Sequence, residues 1–366
     1  MRVGIVTYHS SHNHGAILQA MALSHVLTKL GHEPYFVRYD NPRYKRQTWL
    51  DSWRNRYKRI VSTNLFSLIG YVFHTLPHIH VKKKIADCMN RYIQKNITPY
   101  LDREGMSFDV LILGSDQIWR KQVGNIGYDP FYFGHSPIQA KRKISYAASM
   151  GQVPQAGKDT DCLKELLSGV NRISVREHSL ESLLNDLGYS DVKTVLDPTL
   201  LLTSEEWKRL VPPTSAHTGR RYALFYEVET EAFQKQRLQE HAASMGLELL
   251  TLHLQAISKE TPYDRCLAAP DDFLSLVMDA DFIYTSSYHG MIFSIMFHKP
   301  FLASFPDMIQ RAESLLEDLG LESRLLKKGA CLPAAGPSIN YQEVDERLQA
   351  LRTESLEFLM NALDEP

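Results

Sequence analysis

One imidazole stands where a strand breaks into a helix. Residues 281–301 run Asp-Phe-Ile-Tyr-Thr-Ser-Ser-Tyr-His-Gly-Met-Ile-Phe-Ser-Ile-Met-Phe-His-Lys-Pro-Phe. The apolar run Phe282–Tyr284 gives way to small hydroxyl residues. His289 then sits directly before Gly290 and a second apolar run at helical spacing. In open α/β sheets, ligands bind outside the carboxyl ends of such strands. The position therefore offers His289 to a cleft, where an imidazole takes or gives a proton near neutral pH. The alternative is that Ser286, Ser287 and Gly290 only cap and tighten the turn, with His289 a supporting residue.

Other polar groups close strands in the same way. Gly114-Ser115-Asp116-Gln117-Ile118-Trp119 follows the apolar run Asp109–Leu113. There Asp116 is suited to hydrogen-bond sugar hydroxyls or act as a base, or else to N-cap a helix. Arg176 ends a strand-like segment and is suited to bidentate contact with a carboxylate or phosphate, or to pairing with Glu177. Arg311 follows the loop Ser304–Met308 and is a second such cation, with Lys299 a third. Ser286 and Ser287 add hydroxyl donors, and the helix that follows adds its positive N-terminus. The loop Tyr8–Gly15 carries His9, His12, Asn13 and His14. A metal reading of these histidines lacks an accompanying carboxylate and a ligand spacing, so no metal is expected. Asn13 and Gly15 instead shape the first βα turn, with Gly15 letting a ligand or another domain approach the backbone. Tyr146 and Ser149 read as packing and turn residues. Asp197-Pro198 reads first as a proline-locked turn.

The elements that position these groups alternate strand and helix. Val3–Thr7, Ala16–Leu30 closed by Gly31, and Pro34–Tyr39 form a βαβ opening. Ile85–Lys95 (helix), Asp109–Leu113, Lys143–Ala147, Arg172–Arg176, Ser179–Leu187 (helix) and Val192–Leu196 follow. Residues 201–219 read as a linker. Tyr222–Tyr226, the helix Glu231–Met245, Glu248–Leu252, the helix Asp272–Asp279 and Phe282–Tyr284 make a second such unit. Val344, Leu348, Leu351, Phe358, Leu359 and Ala362 share a helical face near the C-terminus. The expectation is two Rossmann-like α/β domains, 1–200 and 220–340, facing a cleft, with a C-terminal helix over 341–366.

Composition fits this reading. The chain has 366 residues, 44% hydrophobic and 23% charged, with a formal net charge of −1. That balance gives no global reason for a nucleic-acid partner. Cys88, Cys162, Cys266 and Cys331 form no CxxC pair and read as reduced thiols, so a cytoplasmic protein is expected. The N-terminus enters a strand at once, so no signal peptide is expected. The tract Leu65–Leu76 falls short of the ~20 apolar residues of a spanning helix. Residues 43–84 differ from the rest, with ten Lys or Arg against one acid, Asp51. Trp49, Trp53 and Tyr57 recur there at four-residue spacing among Arg54, Arg56, Lys58 and Arg59. A solvated basic face is one reading; peripheral contact with the inner face of an anionic membrane is the other.

Several segments together resemble the polysaccharide pyruvyl transferase family. They are Asn13-His14-Gly15-Ala16-Ile17-Leu18-Gln19-Ala20, Gly114–Trp119, Ile144-Ser145-Tyr146-Ala147-Ala148-Ser149, Ile173-Ser174-Val175-Arg176-Glu177, Leu196-Asp197-Pro198-Thr199 and Ser287-Tyr288-His289-Gly290. The resemblance implies a two-domain fold like that of GT-B glycosyltransferases. It also implies ketal transfer of pyruvate from phosphoenolpyruvate to a sugar diol, without a resident cofactor. Under it His289 and Asp116 serve catalysis. With the residue readings above, Arg176, Ser286, Ser287, Gly290, Arg311 and Lys299 are expected to face the donor, and Asn13, His14, Gly15 and Gln117 the glycan acceptor, a surface polysaccharide or its lipid-linked precursor. Many members carry an arginine two residues before the motif histidine; here that position is Ser287, so another cation must meet the donor. A metal-independent nucleotide-sugar glycosyltransferase and a non-catalytic sugar-binding protein of glycan assembly remain the alternatives.

Overall fold

The computed structural model describes residues 1–9, 13–39, 97–99, 107–121, 127–136, 138–154, 158–213, 221–228, 232–253, 265–266, 269–306, 309–327, 330–333 and 338–364. The basic aromatic segment 43–84 and the helix expected over 85–95 lie outside these residues.

The first lobe is a parallel sheet in the order β3-β2-β1-β4-β5. Its strands are β1 (Arg2–Val6), β2 (Glu33–Arg38), β3 (Ile97–Pro99), β4 (Ser107–Leu113) and β5 (Gln139–Ser145). Parallel strands are covered on both faces, and β1 and β4 are accordingly near-continuous apolar runs. Bridges from Ile144 to Arg172 and from Ala148 to Val175 carry the sheet on to β6 (Ser174–Val175), which pairs with β7 (Lys193–Thr194). The strand order reverses between β1 and β4, and the turns after these two strands share that switch point. Helix α1 (His14–Lys29) follows β1; α2 (Lys158–Leu167) and α3 (His178–Asp186) follow later in the lobe.

The second lobe repeats the plan as β10-β9-β8-β11-β12. The strands are β8 (Tyr222–Glu227), β9 (Glu248–His253), β10 (Arg265–Cys266), β11 (Phe282–Thr285) and β12 (Phe301–Ala303), all parallel. Its switch point lies between β8 and β11, which places the segment Ser286–Gly290 there. Two Rossmann-like lobes are thus present.

Of the expected linker 201–219, the described residues 201–213 hold a helix. Helix α4 (Ser204–Leu210) forms because Thr203 and Glu206 make a reciprocal capping box, with acids in its first turn and bases in its last. Its Trp207 is fully buried, and the indole N–H donates to the Thr199 carbonyl at 2.9 Å. The capping signature was present in the sequence; the polar, proline-containing surroundings hid it.

The lobes share one apolar core. Val3, Ile5, Ile17 and Leu18 of the first join Tyr226, Phe273, Met291 and Phe293 of the second in a single cluster. The remaining helices of the second lobe are α5 (Lys235–Ser244), α6 (Pro270–Asp279), α7 (Tyr288–Met296) and α8 (Gln310–Leu319). Helix α9 (Tyr341–Asp364) then crosses back. Near its start the Tyr341 hydroxyl donates to the Lys299 carbonyl at 2.5 Å. Farther along, Arg352 Nε donates to the Leu200 carbonyl at 2.8 Å. At its end Arg142 of β5 donates to the carbonyls of Ala362 and Leu363. One helix therefore ties both lobes. Among the described residues, no helix is long and apolar enough to cross a membrane.

Candidate active site

The two switch points meet at His289. Ser287 N-caps α7, its hydroxyl accepting from the Gly290 N–H at 3.3 Å, and this sets His289 in the first turn. From the other lobe, Asn13 N-caps α1 by accepting from the Gly15 N–H at 2.9 Å. Gly15 then presents bare backbone to the imidazole. A methyl group there would fall 2.1 Å from His289 Nδ1 and 2.3 Å from Cγ. His14, one residue earlier, stacks on Tyr226 and Phe273 of the second lobe, with Nδ1 3.3 Å from the Tyr226 hydroxyl.

His289 is only 4% exposed. The expectation of an imidazole open to a cleft is thereby corrected. The backbone of α1 closes over the ring because Gly15 has no side chain to hold it off. Replacing Gly15 by alanine should cost about 1–3 kcal/mol, the usual range for overpacking. Urea unfolding would measure the loss. Gly169→Ala, whose methyl group meets nothing within 4 Å, is the control and should stay within about 0.5 kcal/mol.

Buried charge gathers beside the ring. Among the described residues His289 Nε2 has no hydrogen-bond partner, and it lies 3.6 Å from Asp197 Oδ2, an ion-pair distance longer than a hydrogen bond. Asp197 divides its two oxygens. Oδ1 accepts from the Thr199 N–H and hydroxyl at 2.9 and 2.6 Å, which makes the expected turn. Oδ2 pairs with Arg176 and accepts from the Ser115 hydroxyl at 3.4 Å. Burial alone would raise the Asp197 carboxyl, but the Arg176 guanidinium, His289 and Thr199 outweigh it and hold it well below the usual carboxylate range. Burial likewise works against the Arg176 charge, and Asp197 more than restores it.

Arg176 also reaches Asp116 Oδ1, at 3.4 Å. Asp116 stands at the first lobe's switch point with φ of 81°, in the left-handed region that few non-glycine residues adopt. Glu177 turns away from Arg176. Its Oε1 accepts from the Ser149 hydroxyl at 2.5 Å and the Gly151 N–H at 3.0 Å, while Oε2 is buried with no partner among the described residues.

A second guanidinium completes the cluster. Arg311, in the first turn of α8, lies over the Tyr288 ring at 4.9 Å, and Arg176 lies over the same ring at 5.0 Å. Tyr288 and His289 rings stand 5.7 Å apart, edge to face. With the Gln117 amide oxygen turned toward it, Arg311 donates from both Nη atoms at 2.6 and 3.0 Å. Among the described residues no carboxylate pairs with Arg311, and its Nε is buried without a partner. Burial and the neighbouring Arg176 charge lower its pKa from the ordinary arginine value. Arg311 is thus a buried cation held by an aromatic face and a neutral amide.

The structure therefore brings His289, Asp116, Gln117, Arg176 and Arg311 together. Gly15 and Ser287 flank the ring, and the other expected site residues make the following contacts. Lys299 lies beyond the far end of α7, roughly 13 Å along the helix axis from its first turn. The Ser286 hydroxyl accepts from the Val228 N–H at 2.9 Å, tying β8 to β11. Gly290 serves helix–strand packing, since a methyl group there would meet Thr285 Oγ1 at 2.3 Å. The side chains of Asn13 and His14 serve the cap and the contact between lobes. Sequence reasoning missed Tyr288, which looked like filler between Ser287 and His289, and favoured a purely structural Asp197. The adjacency of Asp197-Pro198-Thr199 was the available signal.

The model of the polysaccharide pyruvyl transferase family matches residues 13–304. No curated protein matches the chain. Among solved structures it is similar to the spinosyn rhamnosyltransferase SpnG, at 12% identity over 100% of this chain and 96% of that one, with a TM-score of 0.37. It is similar to the E. coli heptosyltransferase WaaC with ADP, at 12% identity over 96% and 100%, TM-score 0.40. A third is the Methanocaldococcus jannaschii UDP-GlcNAc 2-epimerase in complex with UDP-GlcNAc and UDP, at 10% identity over 96% and 93%, TM-score 0.46. Likeness at this level says nothing about what this chain binds.

Proposed function

This chain belongs to the polysaccharide pyruvyl transferase family, and from that premise we propose that it transfers pyruvate from phosphoenolpyruvate to two hydroxyls of a glycan hexose, forming a cyclic ketal. The observation that carries the reading is Arg311, a buried guanidinium beside the His289 turn that no carboxylate among the described residues pairs with. Phosphoenolpyruvate brings a carboxylate and a phosphate, and such a cation supplies the bidentate partner either group needs. Arg176 does not compete for that role, because Asp197 and Asp116 already balance its charge.

The reaction needs an acid, a base and fixed positive charge. Protonation of the donor's methylene carbon makes C2 an oxocarbenium-like centre. One sugar hydroxyl attacks C2, the second displaces phosphate, and C2 ends bonded to both oxygens. Of the two hydroxyl protons, one is accounted for by the new methyl group and the other leaves with phosphate. His289 is the proton-transfer group, and ionised Asp197 faces its Nε2. Asp116 orients the acceptor hydroxyls or takes a proton from them. Gln117 releases Arg311 as the donor anion replaces its amide oxygen. The lobes part to admit the substrates, since the ring is covered in the arrangement described.

A thermal-shift series tests this. Phosphoenolpyruvate at about 100 times its Kd should stabilise the chain by about 2.7 kcal/mol, and nucleotide sugars should not. Arg311→Leu should lose that stabilisation. Protection by a nucleotide sugar with none from phosphoenolpyruvate would replace this reading with glycosyl transfer. Phosphate release on adding a glycan acceptor, with a mass gain of one ketal-bound pyruvate, distinguishes an enzyme from a binding protein.

A further inference from the structure

A cavity opens at the edge of the β8–β12 sheet that also carries the His289 turn, on the side covered by α5. Arg237 and Leu238 of α5, Phe233 just before it, and Ser304, Lys327 and Leu332 line it. Three features of this cavity point to one ligand chemistry. Arg237 and Lys327 are exposed cations, and neither makes an ion pair with a described residue. The first turn of α5 faces the cavity, and Gln234 at its N-cap makes no side-chain capping bond, so the positive end of the helix is available. Ser304, directly after β12, is 1% exposed, and its hydroxyl has no hydrogen-bond partner among the described residues. A buried hydroxyl without a partner is an uncommon expense in a folded chain. Among the described residues no carboxylate lines the cavity, and Phe233, Leu238 and Leu332 give it apolar walls.

We infer that this cavity is a binding site for a phosphate-bearing organic compound, separate from the cluster around His289. The phosphate or diphosphate lies against Arg237, Lys327 and the α5 N-terminus, and the Ser304 hydroxyl donates to it. An apolar or aromatic portion rests on Phe233 and Leu332. Neither cation belongs to the Arg176–Arg311 cluster, so the inference stands apart from the pyruvyl-transfer reading.

Titration calorimetry on the full chain tests it, with inorganic pyrophosphate, uridine diphosphate and geranyl diphosphate as probes. The wild type should bind pyrophosphate, and should bind one of the two organic diphosphates more tightly. Which one it prefers shows whether the apolar walls take a nucleoside or a prenyl chain. The double variant Arg237→Gln/Lys327→Gln should bind all three at least ~10-fold more weakly, and Ser304→Ala should weaken pyrophosphate binding severalfold. Both variants should keep the thermal shift given by phosphoenolpyruvate, which separates loss of this site from loss of the other. Binding absent at millimolar pyrophosphate, or unchanged in the double variant, would overturn the assignment. Equal affinity for all three probes would remove the apolar walls from it.

Discussion

Replacing His289 by alanine is expected, on the proposed pyruvyl-transfer reading, to leave a folded chain whose ketal-forming turnover falls at least ~10²-fold. The figure is the lower end of what a positioned acid or base contributes, about 2.7 kcal/mol of barrier. Folding should survive because the lobes are held by much more than this ring. His14 stacks across the junction, and α9 spans it from Tyr341 to Leu363. The measurement is phosphate release from phosphoenolpyruvate in the presence of acceptor, with circular dichroism to confirm the fold. His289→Asn keeps much of the polar volume beside Gly15 but cannot move a proton at neutral pH, so it should be about as slow. If either variant turns over near the wild-type rate, the imidazole has no part in the chemistry.

The second large effect is on stability. Arg176→Met should destabilise the chain by about 3–5 kcal/mol, because it leaves Asp197 buried without its guanidinium. Both side chains are fully enclosed, so solvent does not screen the pair. The pH dependence has a definite sign. Asp197 has a folded-state pKa depressed below its unfolded value, so its contribution is fully present above the unfolded carboxylate pKa, about 3.9. That contribution fades as pH falls below this value toward the folded one. Urea midpoints for wild type and variant should therefore differ most near neutrality and converge below about pH 4. A constant difference from pH 7 to pH 3 would mean that the methionine acts through shape and not through charge.

Much of this molecule follows from local pattern. Apolar β-branched runs such as Val3–Val6 and Phe282–Thr285 alternate with amphipathic stretches closed by glycine, and this periodicity is enough to specify two parallel α/β lobes. Position at strand ends is equally local, so His289, Asp116, Gln117 and Arg176 were recognisable as strand-end groups from their neighbours. Arg311 followed from its place at a helix start. The partnerships were not recognisable. Asp116, Arg176, Asp197, Tyr288, His289 and Arg311 lie up to nearly two hundred residues apart, and only the crossovers that set the strand order bring them together. A carboxylate also has two oxygens: Asp197 closes its turn with one and meets Arg176 and His289 with the other, and a sequence motif displays only the first use. The enclosure of the imidazole was likewise beyond local reading. It depends on a glycine 274 positions away allowing one backbone against one ring, a fit between surfaces that periodicity does not encode.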